Sequence, residues 1–314
     1  MRLSSTLRAS ASATLAAIAA LTTFACDGTT GTDEEDATAT SYGSMIDRLS
    51  PADLDRWLEL RARLYKNFSD VCGDTFCGGD YSNLTSVSLD CSATKAGTVN
   101  SCTWVFGGSI EYVDGATGSR KVDARSFVCP IAVHMKAGAF LDTLLDETDS
   151  IRVAMPSTDL SFYDGVADCF AGVVGKPPPA ATGTAFQELV DYMNDTSDFF
   201  PWWQARKRIN KAFDDACGDS FCEGDYTDIA PLALACSVDK ANAKVTACSW
   251  SLVGNYSTIT TKGKVSAHVK KWICEVPVDA PADAFVAALS GADPLHTPLP
   301  GKQTTLNDAL IDCL

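Results

Sequence analysis

Two six-cysteine segments of one design constrain this chain more than any other feature. Cys72-Gly73-Asp74-Thr75-Phe76-Cys77-Gly78-Gly79-Asp80-Tyr81 returns as Cys217-Gly218-Asp219-Ser220-Phe221-Cys222-Glu223-Gly224-Asp225-Tyr226. Downstream, Cys91, Cys102, Cys129 and Cys169 return in step as Cys236, Cys248, Cys274 and Cys313. Twelve of the 13 cysteines belong to this double set. An even number in each copy predicts disulfides formed in an oxidising compartment. Six cysteines can pair in many ways, and spacing alone does not choose among them.

The repeat organises the rest of the chain. Residues 44–176 form the first six-cysteine module and 184–314 the second, with a linker over 177–183 whose three prolines stop helix and ladder alike. Each copy opens on an amphipathic helix. In the first, Leu54, Trp57, Arg61, Leu64, Phe68 and Val71 recur at helical spacing behind Ser50-Pro51, a cap followed by proline; in the second the stripe is Phe199, Trp202, Ile209, Phe213 and Ala216. Gly73 and Gly218 are placed to end these helices.

Three strands follow. Val87, Leu89 and Cys91 alternate with polar residues, as Leu232, Leu234 and Cys236 alternate with Ala233 and Ala235. Cys102, Trp104 and Phe106 answer Cys248, Trp250 and Leu252, and Phe127 and Cys129 answer Trp272 and Cys274. A period of two predicts half-buried antiparallel strands, with turns at Lys95-Ala96-Gly97, Asp114-Gly115 and Lys262-Gly263. A short helix carries Ala139, Phe140 and Leu144, matched by Ala284, Phe285 and Leu289; a last helical piece spans 164–170 and 308–314. The fold class is α+β: a tandem duplication of a disulfide-rich module, each a helix, a three-stranded antiparallel meander and C-terminal helices. The helix-then-meander order resembles cystatin-like folds in topology alone. The Gln-x-Val-x-Gly inhibitory loop of that family is absent, so its activity does not carry over.

The N-terminus reads as an export signal. Arg2 and Arg8 supply a positive start, and 9–24 is an uncharged, largely apolar stretch of about 16 residues, too short for a comfortable transmembrane helix. Thr23-Phe24-Ala25 then precedes Cys26. This resembles the lipobox of bacterial lipoproteins, in which a small residue stands before the cysteine that is acylated and becomes the mature N-terminus; Thr23 stands where that family usually has leucine. The resemblance covers only this segment and implies a signal peptide over 1–25 and lipid on Cys26. Residues 26–43, rich in Thr, Gly, Asp and Glu, are expected to be a flexible acidic tether.

The net charge of −15 argues against nucleic acid, whose phosphates demand a basic face. It also argues against holding anionic lipid by charge, which leaves the lipid anchor as the only expected membrane contact. Asp70, Asp74 and Asp80, with Asp215, Asp219 and Asp225, gather three carboxylates at the end of each opening helix. Hard cations want clustered oxygens on a tight loop, which makes these candidate calcium ligands. The acids do not alternate as in an EF-hand, and aspartates in such places commonly cap turns. No other cofactor is expected. His134, His268 and His296 occupy unmatched positions and sit in no catalytic signature. Trp57, Trp104, Trp202, Trp250 and Trp272 read as core, leaving Trp203 as an exposed aromatic. Asn67, Asn83, Asn194 and Asn255 head N-x-Ser/Thr sequons, surface sites if the host glycosylates them.

Two functional expectations follow. The first is a cell-envelope or surface lipoprotein whose stapled modules form a non-catalytic binding or structural ectodomain, with an envelope or extracellular protein as its partner. The second is a secreted enzyme or enzyme inhibitor with its site between the modules, where ligand pockets favour an interface. A single shared site would use residues found in one copy only, which singles out Glu111, His134, Glu223 and His268.

Overall fold

Leu60, Leu64 and Phe68 follow Trp57 down one stripe of a helix and all four are buried. The computed structural model describes residues 41–72, 81, 83–171, 183–196, 199–217 and 226–314. In it α1 spans Pro51–Val71, with the Ser50 hydroxyl accepting from the Asp53 N–H at 3.2 Å. Leu60, absent from the expected stripe, takes the core position that Arg61 was read to occupy. Behind α1 lies an antiparallel sheet of β1 (Tyr42–Ser44), β2 (Thr85–Thr94), β3 (Thr98–Val113) and β4 (Arg120–Lys136), in that spatial order. Then come α2 (Ala137–Leu145) and α3 (Phe162–Phe170).

The second module repeats the plan. β5 (Phe186–Glu188), α4 (Leu189–Thr196) and α5 (Phe200–Ala216) lead into β6 (Asp228–Asp239), β7 (Lys244–Ile259) and β8 (Val265–Val276). A two-residue strand β9 (Ala280–Pro281), α6 (Ala282–Leu289) and α7 (Leu306–Ile311) complete it. Two similarly built α+β modules, each a short sheet with helices and internal disulfides, are thus present as expected. The short edge strands β1 and β5 and the helix α4 have no periodicity long enough to announce them. β1 also places Tyr42 and Gly43 in a sheet, where the composition suggested tether. The same capping box closes each copy: Ser161 with Asp164 starts α3, and Thr305 with Asp308 starts α7.

The disulfides staple layers together. Cys91–Cys102 and Cys236–Cys248 join directly paired residues of neighbouring strands. Cys129–Cys169 ties β4 to α3, and Cys274–Cys313 ties β8 to the residues just after α7. Cys72 and Cys217 are disulfide-bonded as well. Cys77, Cys222 and Cys26 lie outside the described residues.

The expected half-burial of the strands is corrected. Residues 102–110 of β3 and 248–255 of β7 are buried without a break, because both faces of each sheet are covered. One face holds its own module's helices. The other packs against the other module's sheet, around Val87, Val105, Ala124, Leu232 and Val253. Alternation placed Val87 on one face with Leu89 and Cys91, and Leu232 with Leu234 and Cys236. A bulge between Ser86 and Ser88, and its counterpart between Pro231 and Ala233, turns each to the opposite face and into this seam. Gly107 is required there: a Cβ would overlap Val253 Cγ1 and stand 2.9 Å from Leu232 Cδ2.

Polar side chains complete the seam. The Ser109 and Ser251 hydroxyls meet at 3.2 Å, and the Asn255 amide donates to the Ser88 hydroxyl at 2.7 Å. Contacts are reciprocal between the copies: Thr103 Oγ1 donates to the Val265 carbonyl at 3.3 Å, and Arg120 Nε to Ser249 Oγ at 2.8 Å. Counted from the paired cysteines, Thr103 and Ser249 are equivalent, as are Arg120 and Val265. Two of the sequon asparagines are consumed in this interface. Asn255 is fully buried, and Asn83 bonds Ser109 through its carbonyl to the backbone N–H and through its amide to the hydroxyl, each at 2.8 Å. Neither is the surface site its sequon suggested. Asn67 leans on the Thr148 carbonyl, and Asn194 is exposed.

Candidate functional site

At one end of the seam β3 runs out beside β5 and β6, and the two modules line a half-open cavity of about 690 Å³. Ala233, Leu234 and Ala235 line it from β6, and Phe186 and Val190 add apolar wall. Glu111 enters from the first module; Glu188 and Arg206 enter from the second. Asp191 and Lys240 are exposed at its rim.

Each of these charged groups is positioned by the local fold. Glu111 follows the seam-facing Ser109 by two residues on β3, so it shares that face, and it accepts from Ser251 Oγ at 3.3 Å. Burial pushes its carboxyl up, while bonds from Ser109 and Ser251 and the charge of Arg206 pull the other way. Glu188 is the last residue of β5. Its two oxygens accept from the Val190 N–H at 2.5 Å and the Cys236 N–H at 3.3 Å. Burial nevertheless dominates and raises it to about 7. Asp191 is raised too, by partial desolvation at the rim and then by the charge of Asp195. Arg206 sits half-buried on α5, where Arg61 stands on α1. Arg61 was read as part of the first helix's stripe; its equivalent Arg206 lines this cleft.

The arrangement can hold a cation against two carboxylates that burial makes harder to ionise, and an anion against a guanidinium. The described lining contains no histidine or cysteine.

Of the four residues singled out for a shared site, the structure brings only Glu111 to this cavity. His134 is exposed near the end of β4, and His268 is exposed on β8, stacked on Tyr256 with ring centres 4.5 Å apart. Glu223 lies outside the described residues. His296 bonds Asp293 at 2.9 Å, and the three histidines share no site. Glu188 and Arg206 went unnoticed because only the pairing of β5 with β6 and the turn of α5 bring them to Glu111. The available signal was that Arg61 of the first stripe returns as Arg206 at the same distance from the helix tryptophan.

The aspartate clusters are only partly described. Asp70 is ion-paired with Lys66 at 2.5 Å and Asp215 with Lys211 at 2.6 Å, one helical turn apart in each case. Asp74, Asp80, Asp219 and Asp225 lie outside the described residues. Among the described residues no group of three or more metal-binding side chains comes together. Trp203 is exposed, as expected, with Lys207 Nζ 3.7 Å above its ring and Phe200 stacked beside it; the other five tryptophans are buried. No protein-family model, curated protein or solved structure matches this chain.

Proposed function

We propose that this chain is an exported protein, held at the cell envelope by lipid on Cys26, whose two modules act together as a non-catalytic binding or structural ectodomain. The observation that carries the reading is the oxidised state of the repeat: Cys72, Cys91, Cys102, Cys129, Cys169, Cys217, Cys236, Cys248, Cys274 and Cys313 are all disulfide-bonded. Such a set belongs to an oxidising compartment, and small modules use it to hold shape outside the cell. Sheets packed face to face support it further, since they join the two copies in one compact unit suited to presenting a surface. The partner in this reading is an envelope or extracellular protein, and calcium at the aspartate clusters is an accessory to it.

The test is cell fractionation with Cys26→Ser. The substituted protein is expected in the soluble exported fraction and the unsubstituted one with membranes; equal membrane retention would refute the anchor. An intact mass of the native protein, alkylated without reduction, should show a lipid-sized increment and no alkylated repeat cysteine.

The cavity favours a second reading, an exported enzyme or inhibitor acting between the modules. Carboxylates of unequal burial facing one space are the raw material of acid–base chemistry. Turnover of a peptide, ester or glycoside substrate that is lost in Glu111→Gln would establish it.

A further inference from the structure

Glu111, Glu188 and Arg206 line one half-open cavity without an ion pair between them. None of the ion pairs among the described residues involves any of the three. Glu111 and Glu188 are bonded only by hydroxyl and backbone N–H donors, and Arg206 acts on both through its charge without an ion-pair contact, so a ligand that brings ion-pair partners to all three would be favoured in this wall. The cavity volume lies within the usual range for small-molecule sites, which favour module interfaces.

The repeat provides an internal comparison. Counted from the paired cysteines and tryptophans, Glu111 corresponds to Ser257, Ala235 to Asp90 and Arg206 to Arg61; strand register matches Glu188 to Ser44, which pair with the equivalent Ser237 and Ser92. At the opposite end of the seam Asp90 fills the place of Ala235 and accepts from the Ser257 hydroxyl at 2.7 Å. One end of the seam is therefore bridged by side chains. That bridged end also holds Asp228 and Arg61, whereas the other has a methyl group where the bridging carboxylate would be and carries its two carboxylates, Glu111 and Glu188, at different positions.

The signs of the charges limit what fits. A dianion would meet two carboxylates, and a bare cation would leave Arg206 unanswered and repelled. A neutral sugar would answer neither. We propose that this seam cavity binds a small zwitterionic ligand of the amino-acid or short-peptide class, its ammonium end against Glu111 and Glu188 and its carboxylate end against Arg206. Apolar contact comes from Phe186, Val190 and the alanines of β6. The site goes beyond the anchored-ectodomain reading and stands without it, since it requires neither lipid nor a protein partner.

The experiment uses the full chain and a defined probe set: the twenty standard amino acids with Gly-Gly and Ala-Ala, screened by thermal shift and followed by titration calorimetry. At least one probe is expected to raise the melting temperature through linkage. Its methyl ester and its N-acetyl derivative should each bind about tenfold more weakly or worse, because each removes one charged end. Arg206→Gln and Glu111→Ser should weaken the same probe by a similar factor. Glu111→Ser installs the residue that the other copy carries, so it decides the matter if Arg206→Gln does not fold; near-UV circular dichroism checks both. No binding by any probe, equal binding of the ester or the N-acetyl derivative, or unchanged affinity in a folded Glu111→Ser would overturn the proposal. Membrane release by Cys26→Ser is unaffected by any of these outcomes, so the two readings fail separately.

Discussion

The Ser257 hydroxyl donates to the Asp90 carboxylate across the seam at 2.7 Å, joining β7 of the second module to β2 of the first. The bond is one of several between faces that a single copy would expose to water. Ser88, Thr103, Ser109, Ser249, Ser251 and Asn255 are buried there beside a small aliphatic cluster. Small side chains let two sheets approach closely, and hydroxyls and amides that find one another across the gap avoid the cost of burial without a partner. The seam gives the two modules one core layer that neither has alone.

Gly107 measures how tight that layer is. Gly107→Val should lower stability by about 2–3 kcal/mol, as overpacking of a filled core does. Gly138→Ala, where nothing lies within 4 Å of the added Cβ, should be neutral or stabilising by up to about 1 kcal/mol on helix α2. Urea denaturation of the two variants makes the comparison. Equal midpoints would mean that the sheets are not in close contact.

Glu188 sets a pH dependence. Its carboxyl is raised from 4.5 to about 7 in the folded chain, so the folded state binds more protons than the unfolded state between those values. Stability is therefore greatest at the acidic side of this window and falls as pH rises from about 5 to 8, by up to roughly 3 kcal/mol from this group. Asp228, raised to about 6 by burial and then by the charge of Asp90, adds to the same trend over the lower part of the window. Denaturation midpoints at pH 5, 6, 7 and 8 should decline in order, and Glu188→Gln should flatten the decline above pH 6. A midpoint that rises over this range would contradict the burial of Glu188.

Cys129–Cys169 closes a far longer loop than Cys91–Cys102, with separations of 40 and 11 residues. On chain entropy alone, removing the long bridge should cost roughly 4 kcal/mol and the short one roughly 3. The double substitutions Cys129→Ala with Cys169→Ala, and Cys91→Ala with Cys102→Ala, test the order by thermal denaturation. Non-reducing peptide mapping should recover both pairs in the unsubstituted protein.

Trp104 and Trp250 are equivalent, yet only one has a partner for its indole. Trp104 Nε1 donates to Ser86 Oγ at 2.6 Å. Pro231 holds the place of Ser86 in the second copy, and the buried Trp250 N–H has no acceptor among the described residues. An unsatisfied donor costs about 1–3 kcal/mol, and losing a proline gives back about 0.4–1 kcal/mol of that through the unfolded chain. Pro231→Ser should therefore stabilise by about 1 kcal/mol, with a downfield shift of the Trp250 indole proton. Destabilisation without such a shift would show that the serine does not reach the ring.

The amphipathic stripes, the alternation around Trp104 and Trp250 and the doubled cysteines were each legible, because each depends on residues close in sequence. That information determined the α+β class, the order of helix, meander and helix, and the matching of the two copies. Alternation could not show that Val87 and Leu232 leave their own cores, since a bulge reverses facing without changing composition. The pairing of Cys129 with Cys169 needed the distance between β4 and α3. The charged cavity needed more: Glu111 comes from one copy and Glu188 and Arg206 from the other, so only the packing of sheet on sheet places them together. Local pattern determines which face of an element is apolar. Which partner covers that face, and which polar groups are left looking into the gap, is decided by contacts between residues far apart in the chain.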